Sequence, residues 1–177
     1  TDASTNPVAN VTVTASITTG SGTLANATAT TNSSGVATFS GLTITGTVGS
    51  YTLKFTVSSL SVTSNAFTLA PGTATKVIFT TASNSSIATT TSIGSSVVAT
   101  IEDANGNTVT GSSATVTLSI APSATLGGTT SQNAVNGVAT FTGVTLTGAD
   151  GNYTISAAAT ATAASNALPP SARMRAA

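Results

Sequence analysis

Ser34-Gly-Val-Ala-Thr-Phe-Ser-Gly-Leu-Thr-Ile-Thr-Gly46 is written twice in this chain. It returns as Asn136-Gly-Val-Ala-Thr-Phe-Thr-Gly-Val-Thr-Leu-Thr-Gly148. Each copy leads into a glycine turn and a tyrosine, Gly49-Ser-Tyr51 and Gly151-Asn-Tyr153. Gly35 and Gly137 stand 102 positions apart, and so do Tyr51 and Tyr153. A period of that length is too long for a solenoid repeat and matches a whole small domain. The chain is an array of one module.

Outward from the repeat, apolar residues alternate with Thr and Ser. Val11, Val13, Ala15 and Ile17 form one such run, and Tyr51, Leu53, Phe55 and Val57 another. Ala114, Val116, Leu118 and Ile120, then Tyr153, Ile155 and Ala157, repeat them in the second copy. This period of two predicts half-buried strands, and no segment keeps a 3.6-residue period for more than a turn. Short strands at ~8–12-residue spacing, separated by Gly and Asn turns, predict an all-β fold of two tandem immunoglobulin-like antiparallel β-sandwiches. Residues 71–168 read as a complete sandwich, with Val97, Ala99, Ile101, Val116, Leu118, Val138, Phe141, Val144, Leu146, Tyr153 and Ile155 as its core. Residues 1–70 read as an incomplete one, and 169–177 as a C-terminal tail beginning at Pro169-Pro170. The short joint Leu69-Ala-Pro-Gly-Thr73, with φ fixed at Pro71, predicts a restricted angle between the modules.

Composition narrows the function. Hydrophobic residues are 40% of the chain and charged residues only 5%, against roughly 25% in an average soluble domain. The formal net charge is zero. Lys54, Lys76, Arg173 and Arg175 are too scattered to displace counterions from phosphates, so nucleic acid is excluded as a partner. No apolar run approaches the ~18–20 residues of a membrane span, so no membrane insertion is expected. There are no Cys residues, and stability must come from sheet packing rather than disulfides. An uncharged, hydroxyl-rich surface suits an extracellular or cell-surface setting. The chain opens on Thr1 without a charged, apolar leader, and reads as a mature or trimmed portion of an exported protein.

The order of motifs carries a resemblance. Asp2-Ala-x-x-Asn-Pro-Val, Val-Thr-Val-Thr, Gly-Thr-Leu, Gly-Val-Ala-Thr and Gly-Ser-Tyr-Thr-Leu53 follow one another, and Asp103 through Ile155 repeats the order. This resembles the bacterial immunoglobulin-like group 1 repeats of invasins, intimins and other large surface proteins. The resemblance implies a sandwich fold and a rod that holds an adhesive tip away from the cell; some members bind ligands themselves.

Candidate sites are few. With no His and no Cys, the usual general base and thiol nucleophile are missing, and no enzymatic activity or cofactor is expected. Glu102, Asp103, Asn105 and Asn107 resemble the opening of an oxygen-rich Ca²⁺ loop, but the distal bidentate acid is missing. The same residues make an ordinary Asx/Gly turn. Lys76 on the first strand of the complete module could meet Asn166 on the last, with Glu102 as proton shuttle, to form an intramolecular isopeptide bond. A solvent-facing lysine and a turn asparagine explain the same residues.

The last expectation concerns what the first module lacks. The second module opens with two strands, within Thr75–Thr81 and Ser96–Ile101, ahead of the Asp103 turn. The first begins already at the corresponding turn, at Asp2. Its sheet should keep an open edge and an uncovered apolar face, a template for another chain. Either the intact protein continues upstream or a neighbouring molecule fills the gap by strand addition, and other copies of the chain, or adjacent immunoglobulin-like modules, are the expected partners. A structural filament or rod is the expected role, with an adhesin module gripping a glycan or host receptor through its loops as the alternative.

Overall fold

A computed structural model describes residues 6–80, 86–87, 93, 96–149, 151–160, 166–167 and 174–176. These residues form strands and turns throughout, with no helix among them. The chain divides into two units, Thr1–Ala70 and Pro71–Ala177.

Unit 1 contains β1 (Thr12–Thr19), β2 (Gly22–Ala25), β3 (Thr28–Thr30), β4 (Thr43–Gly46), β5 (Gly49–Val57), β6 (Leu60–Thr63) and β7 (Phe67–Leu69). Its main sheet runs in the order β3-β1-β5-β6, and β7 pairs with the start of β5. All pairings are antiparallel, with Ala15 opposite Phe55 and Phe55 opposite Val62. Partners directly opposite share a face of the sheet, so the alternating apolar residues of β1, β5 and β6 point the same way. The weakly apolar stretch Thr23–Thr31 splits into β2 and β3 at Asn26, whose φ of 54° is the positive backbone angle asparagine tolerates. β2 leaves the main sheet to pair with β4.

Unit 2 contains β8 (Lys76–Phe79), β9 (Ser86–Ile87), β10 (Val97–Glu102), β11 (Thr115–Ala121), β12 (Thr125–Gly127), β13 (Ser131–Asn133), β14 (Val138–Phe141), β15 (Thr145–Thr147), β16 (Gly151–Ala159), β17 (Asn166–Ala167) and β18 (Met174–Ala176). One sheet is β14-β10-β8; a second runs β13-β11-β16-β18-β9, with β17 also on β16. β12 and β15 form a separate ladder. Within the segment set apart as a tail, Met174–Ala176 pairs antiparallel with Gly151–Tyr153.

The two main sheets of unit 2 enclose one core. Val97, Ala99, Ile101, Val116, Leu118, Phe141, Val144, Leu146, Tyr153 and Ile155 are all buried in it, as their alternation predicts. Val138 is corrected: it is only half-buried, while Ala139 and Phe141 are fully buried. Successive strand residues face opposite sides, so Val138 and Phe141 could not both point inward along an unbroken strand. The core also takes Val77, Ala134, Ala157, Ala159 and Ile93, the last lying between β9 and β10 in the chain. Ile93 is anchored by its N–H, which donates to Val144 O at 2.9 Å.

Each repeated motif performs the same local task. Gly35 and Gly137 have φ of +70° and +79°, a conformation that side chains strain to adopt, and each turns the chain into the repeat. The tyrosines are corner residues: Tyr51 is 1% and Tyr153 4% exposed. The Tyr153 hydroxyl donates to Ala149 O at 2.6 Å, and that of Tyr51 lies 2.6 Å from Ser21 O and 2.8 Å from Thr47 O. Tyr153→Phe keeps the ring and loses that bond. It should lower unfolding free energy by about 1 kcal/mol in urea titration, while Tyr153→Ala should cost several times more.

Candidate functional site

The turn after β10 collects most of the residues singled out from sequence. Asp103 is 2% exposed. Its Oδ1 accepts the backbone N–H groups of Asn105 and Asn107, each at 2.9 Å. Its Oδ2 accepts the Asn107 side-chain amide and the backbone N–H of Gly72, again at 2.9 Å each. The Asn107 side-chain bond, ahead of the backbone bonds, holds the carboxyl down from 3.8 to about 2, against the opposing push of burial. Both carboxylate oxygens are thus occupied by N–H donors, and a cation here would have to displace them. Among the described residues no group of three or more His, Cys, Asp or Glu gathers into a potential metal site. The matching Asp2 of unit 1 lies outside the described residues.

Glu102 turns away from this cluster. It stands opposite Lys76 in the β10–β8 ladder, and Lys76 Nζ lies 3.3 Å from Glu102 Oε2. The pair is partly open, with side chains 32% and 12% exposed, which keeps its energetic weight small. Asn166 sits on β17, opposite Ala157 of β16, and β17 lies against β8. The fold therefore places the first and last strands named in the isopeptide reading side by side, and joins Lys76 to Glu102. The Asn166 side chain lies outside the described residues.

A different site emerges where the repeat meets two surroundings. In unit 2, β14 is covered by β10: Val97 stands opposite Phe141, Ala99 opposite Ala139 and Thr100 opposite Val138. β8 then covers β10. Unit 1 carries the same Gly-Val-Ala-Thr-Phe at 35–39. Among its described residues no strand corresponds to β8 or β10, and 35–39 makes only the isolated bridge Thr31–Ala37. The consequence is visible residue by residue. Ala139 and Phe141 are fully buried, whereas Ala37 and Phe39 are half-buried and Val36 is 54% exposed.

The inner face of the unit 1 sheet is left open as the sequence predicts. Val11, Val13, Phe55, Val57, Leu60 and Val62 line a trough of about 410 Å³ running past Gly35 and Ala37. Leu60 is 69% and Val62 66% exposed. The Phe39 ring packs edge-on against Phe55, one of the lining residues, at 5.2 Å between centroids. Six of the seven large apolar side chains found exposed among the described residues belong to unit 1. The surface is concave and mostly apolar. Sequence reasoning found the missing cover, from the absence of two strands. It missed Leu60 and Val62, whose role appears only once β6 is seen to extend the same face.

No family model and no curated protein sequence matches the chain. Solved structures do. The D0-D1 domain of intimin is similar at 20% identity, covering 99% of this chain and 86% of that one, with a TM-score of 0.39. The D00-D0 domain of intimin matches at 20% identity over 72% of this chain and 64% of that one, with a TM-score of 0.45. A β-glycosidase from Bacteroides vulgatus matches at 14% identity and a TM-score of 0.45; 89% of this chain aligns with only 20% of that chain. The intimin domains are of the invasin/intimin type that the motif order resembles.

Proposed function

We propose that the chain is a non-enzymatic structural subunit of an extracellular filament or cell-surface rod. Its units join head to tail with neighbouring subunits or modules, and the open face of unit 1 is completed by a strand from a neighbour. The observation that carries this reading is the pair of surroundings around one sequence. The Gly, Ala and Phe of Gly-Val-Ala-Thr-Phe are buried in unit 2 and only half-buried in unit 1. Burying apolar area contributes roughly 25 cal/mol per Å², so a trough lined by exposed Leu and Val favours association. The near absence of charge supports the same role, since subunits meet with little electrostatic repulsion whatever the salt.

The test is assembly of the full chain, followed by electron microscopy and sedimentation over a range of concentrations. Filaments or rods should form, and the double variant Leu60→Lys/Val62→Lys should abolish them. Both side chains are largely exposed in the isolated chain, so its melting temperature should move little. A monodisperse monomer at high concentration would sink the proposal.

A further inference from the structure

We infer that the apolar face of unit 1 accepts one particular kind of occupant: an extended strand, antiparallel to 35–39, that reproduces the inward face of β10. The inference rests on the structural reading above and adds the identity of the completing strand. Unit 2 shows what covers this sequence. β10 places Val97 opposite Phe141 and Ala99 opposite Ala139, and Ile101 N–H donates to Gly137 O at 2.8 Å. Carried onto the same residues of unit 1, the register sets an aliphatic residue opposite Phe39, a small one opposite Ala37 and a large aliphatic opposite Gly35.

The size sequence follows from the acceptor. Ala37 carries one methyl, and Pro7 and Val8 stand against Gly35 as Thr108 and Val109 stand against Gly137, where Ile101 still reaches the glycine carbonyl. Phe39 packs against Phe55, one of the lining residues. Among the described residues no hydrogen bond takes up the backbone N–H of Ala37 or Phe39, which leaves an edge for the donor's carbonyls. The trough is lined mainly by aliphatic side chains and Phe55, with Thr31 and Ser61 the hydroxyl residues and no charged group. An inward-facing charge on the donor would be buried without a partner. Only every second donor residue faces the trough; those between are free to be polar. A second copy's folded unit 2 cannot supply the strand as it stands, because its own β10 lies between β14 and β8.

The probe is the capped synthetic peptide Ser96-Val-Val-Ala-Thr-Ile-Glu-Asp103, titrated into the ¹⁵N-labelled full chain. Saturable binding is expected, with the amides of Ala37 and Phe39 shifting and gaining protection from hydrogen exchange. A peptide carrying Val98→Asp, on the outward phase, should bind within about threefold of the parent, and one carrying Ala99→Asp at least about tenfold more weakly. The Leu60→Lys/Val62→Lys chain should also bind the parent peptide at least about tenfold more weakly. Absence of binding, equal binding of the two Asp peptides, or shifts confined to unit 2 would overturn the inference. If the chain assembles and the double variant blocks assembly while the peptide fails to bind, this inference falls and the structural reading stands. If the peptide binds as expected but the chain never assembles, the inference stands and self-assembly falls.

Discussion

Phe141→Ala should destabilise unit 2 by ~3–5 kcal/mol, the range for emptying a fully buried phenylalanine site. Phe39→Ala removes the same ring from the same pentapeptide, yet it should cost only ~1–2 kcal/mol, because that ring is half-exposed and makes one aromatic contact. Urea unfolding of the full chain, with exchange-protected amides assigned to each unit, separates the two effects. Equal costs would mean that Phe39 is as well covered as Phe141, and the open face would not exist. Once unit 1 is completed by a strand, the cost at Phe39 should rise toward that at Phe141.

Asp103→Ala should be the most damaging polar substitution in the chain, by about 3 kcal/mol or more. It strips a common acceptor from three backbone N–H groups and the Asn107 amide, and buried donors left unpaired cost ~1–3 kcal/mol each without adding fully. Asp103→Asn keeps the size but turns one acceptor into a donor facing donors, and should lose nearly as much. The wild-type carboxyl has a folded pKa of about 2, below its ordinary 3.8. Its contribution is therefore complete above 3.8 and is lost as pH falls through that interval toward 2. Acid titration of stability should show this step in the wild type and not in Asp103→Ala. A wild-type curve flat across the interval would refute the assignment.

The fold was legible because the repeat fixes the period and the alternating runs fix the strands. The open face was expected for a related reason: the two strands ahead of the Asp103 turn have no counterpart among the described residues of unit 1. What escaped the sequence has physical causes. Ala139 and Ala159 join the core, but a single methyl marks the apolar period only weakly. Ile93 stands alone among Ser and Thr, and only its tertiary partner Val144 reveals it. Val138 was assigned inward with Phe141 although the two differ by an odd number of positions, and the pleat allows one of them only. The turn at Asp103 was legible as a turn. Its bond to Gly72 was not, since nothing local links residues so far apart in the chain.

That bond decides how unit 2 meets a pull. Tension entering the chain at Pro71 reaches Gly72 first, and Gly72 is fastened to the Asp103 carboxylate across the end of the β8–β10 ladder. The load passes sideways into the turn before it can peel β8 away residue by residue. Ladder bonds lie across the strands, so a force drawn along β8 must shear the four pairs from Lys76–Glu102 to Phe79–Ala99 together. A buried carboxylate would thus act as a mechanical clamp in a protein proposed to build a filament or rod.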